Sequence, residues 1–243
     1  MESDGFIMFW NRGPSGPYRY PVYSVLIEHA EGNFLFDTGF DKALVDTMQL
    51  RGSVPMQTPQ QSLAAQLALI GKRPEDINLV MNSHYHFDHV GGNRLCTCAT
   101  TICHKHEMNA ILNPHPAVDA PGYRDMRFLE PDGAYKPKFE IVTGDQEVAK
   151  GVTLLETPGH TAGHYSIMIR LEGRRPMIFT GDACYAQRSL DLMAIPSSHI
   201  DPFIAYSSIE RLRDLARDHD AELFFSHDNV SYPNYLKAPG YYS

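Results

Sequence analysis

At 243 residues, with 43% hydrophobic and 21% charged side chains, the chain has a globular composition and length enough for a full core. Its net charge of −8 argues against a nucleic-acid backbone as partner, because phosphate binding needs clustered lysine and arginine. No apolar stretch approaches the roughly 20 residues that span a bilayer, and Met1 to Trp10 lacks the form of a signal peptide, so the expectation is a cytoplasmic protein without membrane contact.

In chain order, Phe6 to Phe9 reads as a short apolar strand and Asn11 to Pro17 as a Gly/Pro loop. Tyr20 to Glu28 and Phe34 to Asp37 flank Ala30-Glu31-Gly32-Asn33, the signature of a hairpin. Asp37-Thr38-Gly39 closes it as a plain capped turn. Thr58-Pro59 opens a helix whose core face is Leu63, Leu67 and Ile70, and Gly71 ends it. Ile77 to Met81 reads as a strand leading into Ser83-His84-Tyr85-His86-Phe87-Asp88-His89, after which Gly91 and Gly92 allow a tight turn. Cys96, Cys98, Cys103 and Cys184 lack the spacing of a disulfide framework or a metal pair and read as reduced buried thiols. Thr101 to Cys103 is a short strand and His106 to Leu112 a short helix. Residues 113–138, rich in Pro, Gly and charge, are longer than most ordered loops and read as a lid over the site or, alternatively, as an irregular crossing. Phe139 to Val142, Val152 to Glu156, Tyr165 to Leu171 and Met177 to Thr180 read as successive strands. Asp201-Pro202 opens a helix to about Arg217, and Glu222 to Phe225 is the last strand. The aromatic tail from Tyr232 could pack on its own domain or on a partner subunit, so a homo-oligomer is open. No linker or short repeat divides the chain, so residues 1–243 read as one domain.

Four of these apolar runs end in ligand-type residues: the His84 loop, His160, Asp182 and His227. They offer His84, His86 and His160 as one trio, Asp88, His89 and His227 as another, and Asp182 between them. A structural zinc closes with four ligands, whereas this larger set suits two ions bridged by a carboxylate and by hydroxide, and hence catalysis. Zinc suits imidazole and carboxylate donors best, although manganese, iron and cobalt are also accepted by them.

The pattern His84-x-His86-x-Asp88-His89, followed by His160, Asp182 and His227, resembles the metallo-β-lactamase superfamily over nearly the whole chain. The resemblance implies an α/β fold, an αββα sandwich of two mixed sheets flanked by helices, two Zn2+ ions and, as the alternative to a plain turn, an Asp37 that supports a ligand histidine. Asp182 followed by Tyr185 resembles the lactone-hydrolysing branch, the N-acyl homoserine lactonases. Phe9-Trp10-Asn11-Arg12-Gly13-Pro14, Ile27-Glu28-His29-Ala30-Glu31-Gly32, Ile102-Cys103-His104 and His199-Ile200-Asp201-Pro202 resemble the 4-pyridoxolactonases more closely. In lactonases of this type another strand usually precedes the Phe9-Trp10 region, and few residues remain here to form it.

These resemblances imply a hydroxide attacking a small lactone, with 4-pyridoxolactone of vitamin B6 degradation as the first expectation and an N-acyl homoserine lactone as the alternative. The His84, His86 and His160 ion would polarise the carbonyl. The other ion would receive the leaving oxygen, to which Asp88 would pass a proton, and the Tyr185 hydroxyl would donate to the oxyanion. Trp10, Arg12, Phe87 and His199 are candidates for substrate contact. A thioesterase, a β-lactam hydrolase and a non-catalytic metal-stabilised module are competing readings; Asp182 and the size of the ligand set speak against the last two. Among the remaining histidines, His29 and His219 are expected in solvent, His104, His106 and His115 at the surface, and His164 either beside the site or simply buried.

Overall fold

A computed structural model describes residues 1–46, 48, 50, 52–116 and 137–243. Most of the expected lid, residues 117–136, lies outside the described residues. The chain divides into two compact units. One comprises Met1–Pro21, Thr143–Tyr235 and Tyr242–Ser243, the other Val22–Val142 and Leu236–Tyr241.

The first unit begins with β1 (Glu2–Asp4), which pairs antiparallel with β2 (Pro17–Arg19) around the helical turn α1 (Gly5–Met8). The strand expected at Phe6 to Phe9 is therefore helix. One Asp4 oxygen accepts from the Phe6 N–H at 2.8 Å, capping the turn, and the other accepts from the Gly16 N–H at 2.9 Å. The few residues before Trp10 do hold a short strand, β1, and the anticipated loop ends at Pro17, the first residue of its partner.

In the second unit, β3 (Val25–His29) and β4 (Gly32–Phe36) form the expected hairpin. Next come α2 (Lys42–Val45), β5 (Ser53–Val54) and α3 (Leu63–Ala68). The helix expected from Pro59 is split. Gln61 turns back to accept from the Thr58 N–H at 2.8 Å, and Ser62 starts a new helix by capping Ala65. Then follow β6 (Leu79–Met81), α4 (Phe87–Val90), β7 (Thr100–His104), α5 (Lys105–Leu112) and β8 (Lys138–Val142). The sheet order is β3-β4-β6-β7-β8, parallel from β4 onward. Leu35, Leu67, Ile77, Val80 and Cys96 form the core under its helices.

The rest of the first unit supplies β9 (Gln146–Ala149), β10 (Val152–Glu156), β11 (Tyr165–Ile169) and β12 (Met177–Phe179), then α6 (Gln187–Leu192), α7 (Pro202–Asp218) and β13 (Glu222–Phe224). This sheet runs β13-β12-β11-β10-β9, antiparallel except that β12 and β13 are parallel. Asp201 caps α7 through the Phe203 and Ile204 N–H groups, and the helix lays Ala205, Ile209 and Leu212 against Leu155, Met168 and Ile178. Two tail tyrosines, Tyr235 and Tyr242, pack within the first unit. The Tyr235 hydroxyl accepts from the Phe225 N–H at 2.9 Å, and the rings of Tyr235 and Tyr242 lie 4.8 and 5.5 Å from Phe224. No described helix is long and apolar enough to cross a membrane.

Candidate metal centre

In each unit a parallel strand pair sets the ligands. A parallel pair brings two carboxyl ends side by side, and side chains there converge. Across β4 and β6, Phe36 is paired with Met81, so Asp37 emerges beside Asn82 and Ser83. The Asp37 carboxylate, at a left-handed φ of 58°, accepts from the Ser83 N–H at 2.7 Å and from the Ser83 hydroxyl at 2.8 Å. It also accepts from His89 Nδ1 at 2.7 Å.

These contacts assign the histidine tautomers. His89 must carry its proton on Nδ1 to meet the carboxylate. Ser83 Oγ, having given its proton to Asp37, accepts from His84 Nδ1 at 2.9 Å. Both rings thus keep a lone pair on Nε2, the form a metal ligand needs. His84 Nε2 and His86 Nδ1 approach to 2.9 Å, and Asp88 Oδ2 lies 3.9 Å from His89 Nε2. His86 is half-buried and the other three are buried. So the structure brings His84, His86, Asp88 and His89 together, and Asp37 is their support rather than a plain turn. Gly91 and Gly92 are needed for proximity rather than for turning. A Cβ on Gly91 would stand 2.6 Å from the Asp41 nitrogen and 2.7 Å from the Phe40 Cα.

In the first unit, β12 and β13 deliver Asp182 and His227, and the loop after β10 delivers His160. His160 Nδ1 donates to the Ser198 carbonyl at 2.6 Å, and His227 Nδ1 donates to the Pro21 carbonyl at 2.9 Å. A carbonyl can only accept, so both Nε2 atoms bear lone pairs in the neutral rings. Asp182 Oδ2 faces His160 Nε2 at 3.3 Å, and its Oδ1 faces His227 Nε2 at 3.1 Å. Lone pairs repel at such distances unless a proton or a cation lies with them. All three side chains are almost completely buried. The donor set of nitrogen and oxygen, with each oxygen of one carboxylate turned to a different imidazole, fits divalent metal on two sides of Asp182.

Tyr185 is buried, with its ring 4.8 Å from His227 and 5.9 Å from His160. Its carbonyl accepts from the His227 N–H at 2.9 Å. Trp10 and His199 form an aromatic pair with centroids 4.7 Å apart, and His199 Nδ1 donates to the Pro196 carbonyl. Trp10 also packs on the core beneath α7. Arg12 is exposed. Phe87 is half-buried against Tyr85, Val90 and Cys103, as a packing residue would be. His219 is exposed as expected, but His104 is buried rather than superficial and caps α5 by accepting from the His106 N–H. Cys96, Cys103 and Cys184 are buried thiols and Cys98 is exposed, against the expectation of four buried ones. Burial pushes the Cys96 thiol up to about 12. Ser83 was missed as a support, and its one legible signal was its place between a strand end and the first ligand.

The chain belongs to the metallo-β-lactamase superfamily, whose profile matches residues 17–227. Within it, the chain is a metal-dependent ester hydrolase related to lactonases. It is 33% identical to the N-acyl homoserine lactonase of Bacillus thuringiensis over 215 residues, 86% of this chain and 81% of that protein. With the N-acyl homoserine lactonase of Azorhizobium caulinodans it shares 29% over 247 residues, 96% and 91% of the two chains. The solved structure of an N-acyl homoserine lactone hydrolase, with N-hexanoyl-L-homoserine bound at its catalytic metal centre, matches with a TM-score of 0.84. That match has 29% identity and covers 99% of this chain and 94% of the other. A dizinc quorum-quenching lactonase shares the fold at a TM-score of 0.73 and 19% identity, covering 99% and 89%. The mixed α/β metallo-β-lactamase fold is thus the one the sequence implied. The four ligand-type side chains of one unit and the three of the other fit two Zn2+ ions.

Proposed function

We propose that residues 1–243 act as one domain and that the two ligand halves combine into one dinuclear zinc centre that opens a lactone ring. His84, His86 and His160 would hold one ion, Asp88, His89 and His227 the other, with Asp182 shared. The observation that carries this reading is the Asp182 carboxylate, which turns one oxygen to each of two imidazoles already fixed through their Nδ1 atoms. Bound there, zinc supplies Lewis acidity for an ester carbonyl and lowers the pKa of water from ~15.7 to about 7. The protein's part is to hold and to move protons. Tyr185 donates its hydroxyl hydrogen to the carbonyl oxygen as charge develops on it. Asp88 takes up the proton brought by the attacking water and passes it to the departing ring oxygen. Trp10, Arg12, Phe87 and His199 are the candidate contacts for the remainder of the substrate.

The order of substrates expected from the sequence is reversed. The relatives named above are N-acyl homoserine lactonases, and this supports an N-acyl homoserine lactone as substrate. A 4-pyridoxolactone-like aromatic lactone is the second reading, supported by the aromatic Trp10–His199 pair, whose ring faces could contact a planar ring. Hydrolysis rates on N-hexanoyl homoserine lactone and on 4-pyridoxolactone, with zinc counted in the same sample, test the proposal. Faster opening of the acyl lactone, with two zinc ions per chain, is expected. Faster opening of the aromatic lactone would restore the first expectation, and failure on both would end the lactonase reading.

A further inference from the structure

His164 lies four residues beyond His160, is fully buried, and is not among the ligand-type groups. Its Nε2 accepts from the backbone N–H of Asp182 at 2.8 Å. Accepting there requires a lone pair on Nε2, so in the neutral ring the proton sits on Nδ1. Nδ1 then donates to Thr157 Oγ1 at 2.9 Å. At the far end, Ser166 Oγ donates to the Thr180 carbonyl at 2.7 Å, because a carbonyl can only accept. Ser166 Oγ has therefore spent its proton, and the 2.9 Å contact between it and Thr157 Oγ1 must be donated by Thr157. Every proton in the series is thereby assigned, running from Asp182 N–H through His164, Thr157 and Ser166 to Thr180. All five residues are buried.

The series begins and ends on the same short loop. Thr180 follows β12, and Asp182 lies in the 3-10 turn Gly181–Ala183 just beyond it. Thr180 Oγ1 also reaches across that turn to the Cys184 carbonyl at 2.7 Å. The turn is thus tied to β10 through Thr157 and to β11 through Ser166, with His164 holding the residue whose carboxylate must aim in two directions. We infer that His164 is a positioning residue for Asp182, and that its Nδ1-protonated tautomer, set by Thr157, holds the Asp182 backbone where both carboxylate oxygens can serve metal. This inference rests on the dinuclear reading above.

Two amide substitutions separate the roles of the two ring nitrogens. In His164→Gln the amide reaches the place of Nε2 and can still accept from Asp182 N–H. In His164→Asn the amide reaches only the place of Nδ1, and Thr157 alone is served. Zinc content and affinity, read by chelator competition without substrate, should stay near wild type in the Gln variant. In the Asn variant affinity should fall about 10–100-fold, the usual size for losing a support behind a metal ligand. The kcat for lactone should fall in parallel, with KM little changed. Rescue by Gln but not by Asn is the result expected. Equal zinc affinity in the two variants would overturn the inference, as would failure of both to fold, which would make His164 a packing residue only. Wild-type protein that bound no second zinc would instead defeat the dinuclear reading, and this is measured first.

Discussion

Asp37→Asn is the substitution with the widest reach in the second unit. One carboxylate there accepts three hydrogen bonds, from Ser83 N, Ser83 Oγ and His89 Nδ1, all between 2.7 and 2.8 Å. An amide keeps one oxygen and puts a donor in place of the other. That donor faces the His89 Nδ1–H and the Ser83 hydroxyl, so at least one of these must turn away. A hydrogen bond to a charged partner contributes about 1.5–3 kcal/mol. Losing two, with partial recovery by rotation of Ser83, should leave the zinc-free protein about 3 kcal/mol less stable. For a chain of this size that corresponds to a fall in Tm of roughly 6–12 °C. Nδ1 can accept from the new amide donor if the His89 proton moves to Nε2, the atom a metal needs. Zinc affinity should therefore fall about 10–100-fold as well. Calorimetry of the zinc-free protein and chelator competition read the two effects separately. A variant that melts with the wild type and holds zinc as tightly would refute the account of Asp37.

Other expectations follow from the same geometry. Gly159 has φ 117°, and a Cβ there would stand 2.2 Å from the Ala205 nitrogen, so Gly159→Ala should push the His160 loop from α7 and cost at least about 1–3 kcal/mol in urea unfolding. Tyr185→Phe should leave zinc content intact and lower kcat for lactone by about two to three orders of magnitude; an unchanged rate would remove Tyr185 from the chemistry. Of the four cysteines, only exposed Cys98 should react with iodoacetamide in the folded protein, and all four should react in denaturant, as mass spectrometry can count. The Cys96 thiol is raised from 9.0 to about 12 by burial, so it favours the fold fully below pH 9. That contribution is lost as the pH climbs toward 12, and stability measured across this window should decline.

What could be read from the sequence was the chemistry of strand ends. Val152–Glu156 announces itself by Val152, Leu154 and Leu155 beside β-branched Thr153, and His160 after Pro158-Gly159 is conspicuous because nothing in core packing asks for it. His84, His86, Asp88 and His89 stand out for the same reason. Short elements were less legible because distant atoms decide them. Asp4 turns Phe6 to Met8 into helix with help from Gly16, twelve residues away. β9 is a strand because β10 pairs with it, although Gln146 and Glu147 lack any apolar alternation. α6 has no side-chain cap at Ala186 to mark its start. His104 was expected at the surface because its polarity was visible and its capping of the following helix was not. Support residues are the hardest to see. Asp37 and His164 became specific only when hydrogen bonds showed which nitrogen of which ring each one sets.

The hydrogen bond between Tyr235 and Phe225 bears on the open edge of the first unit's sheet. Among the described residues β13 is the outermost strand of its sheet, a place where unpaired backbone groups invite a foreign strand to dock. The phenol oxygen occupies the amide just past the end of that strand, while the aromatic rings of Tyr235 and Tyr242 shield Phe224. A polypeptide extending the sheet past Phe224 would have to displace this aromatic cover, three residues before His227.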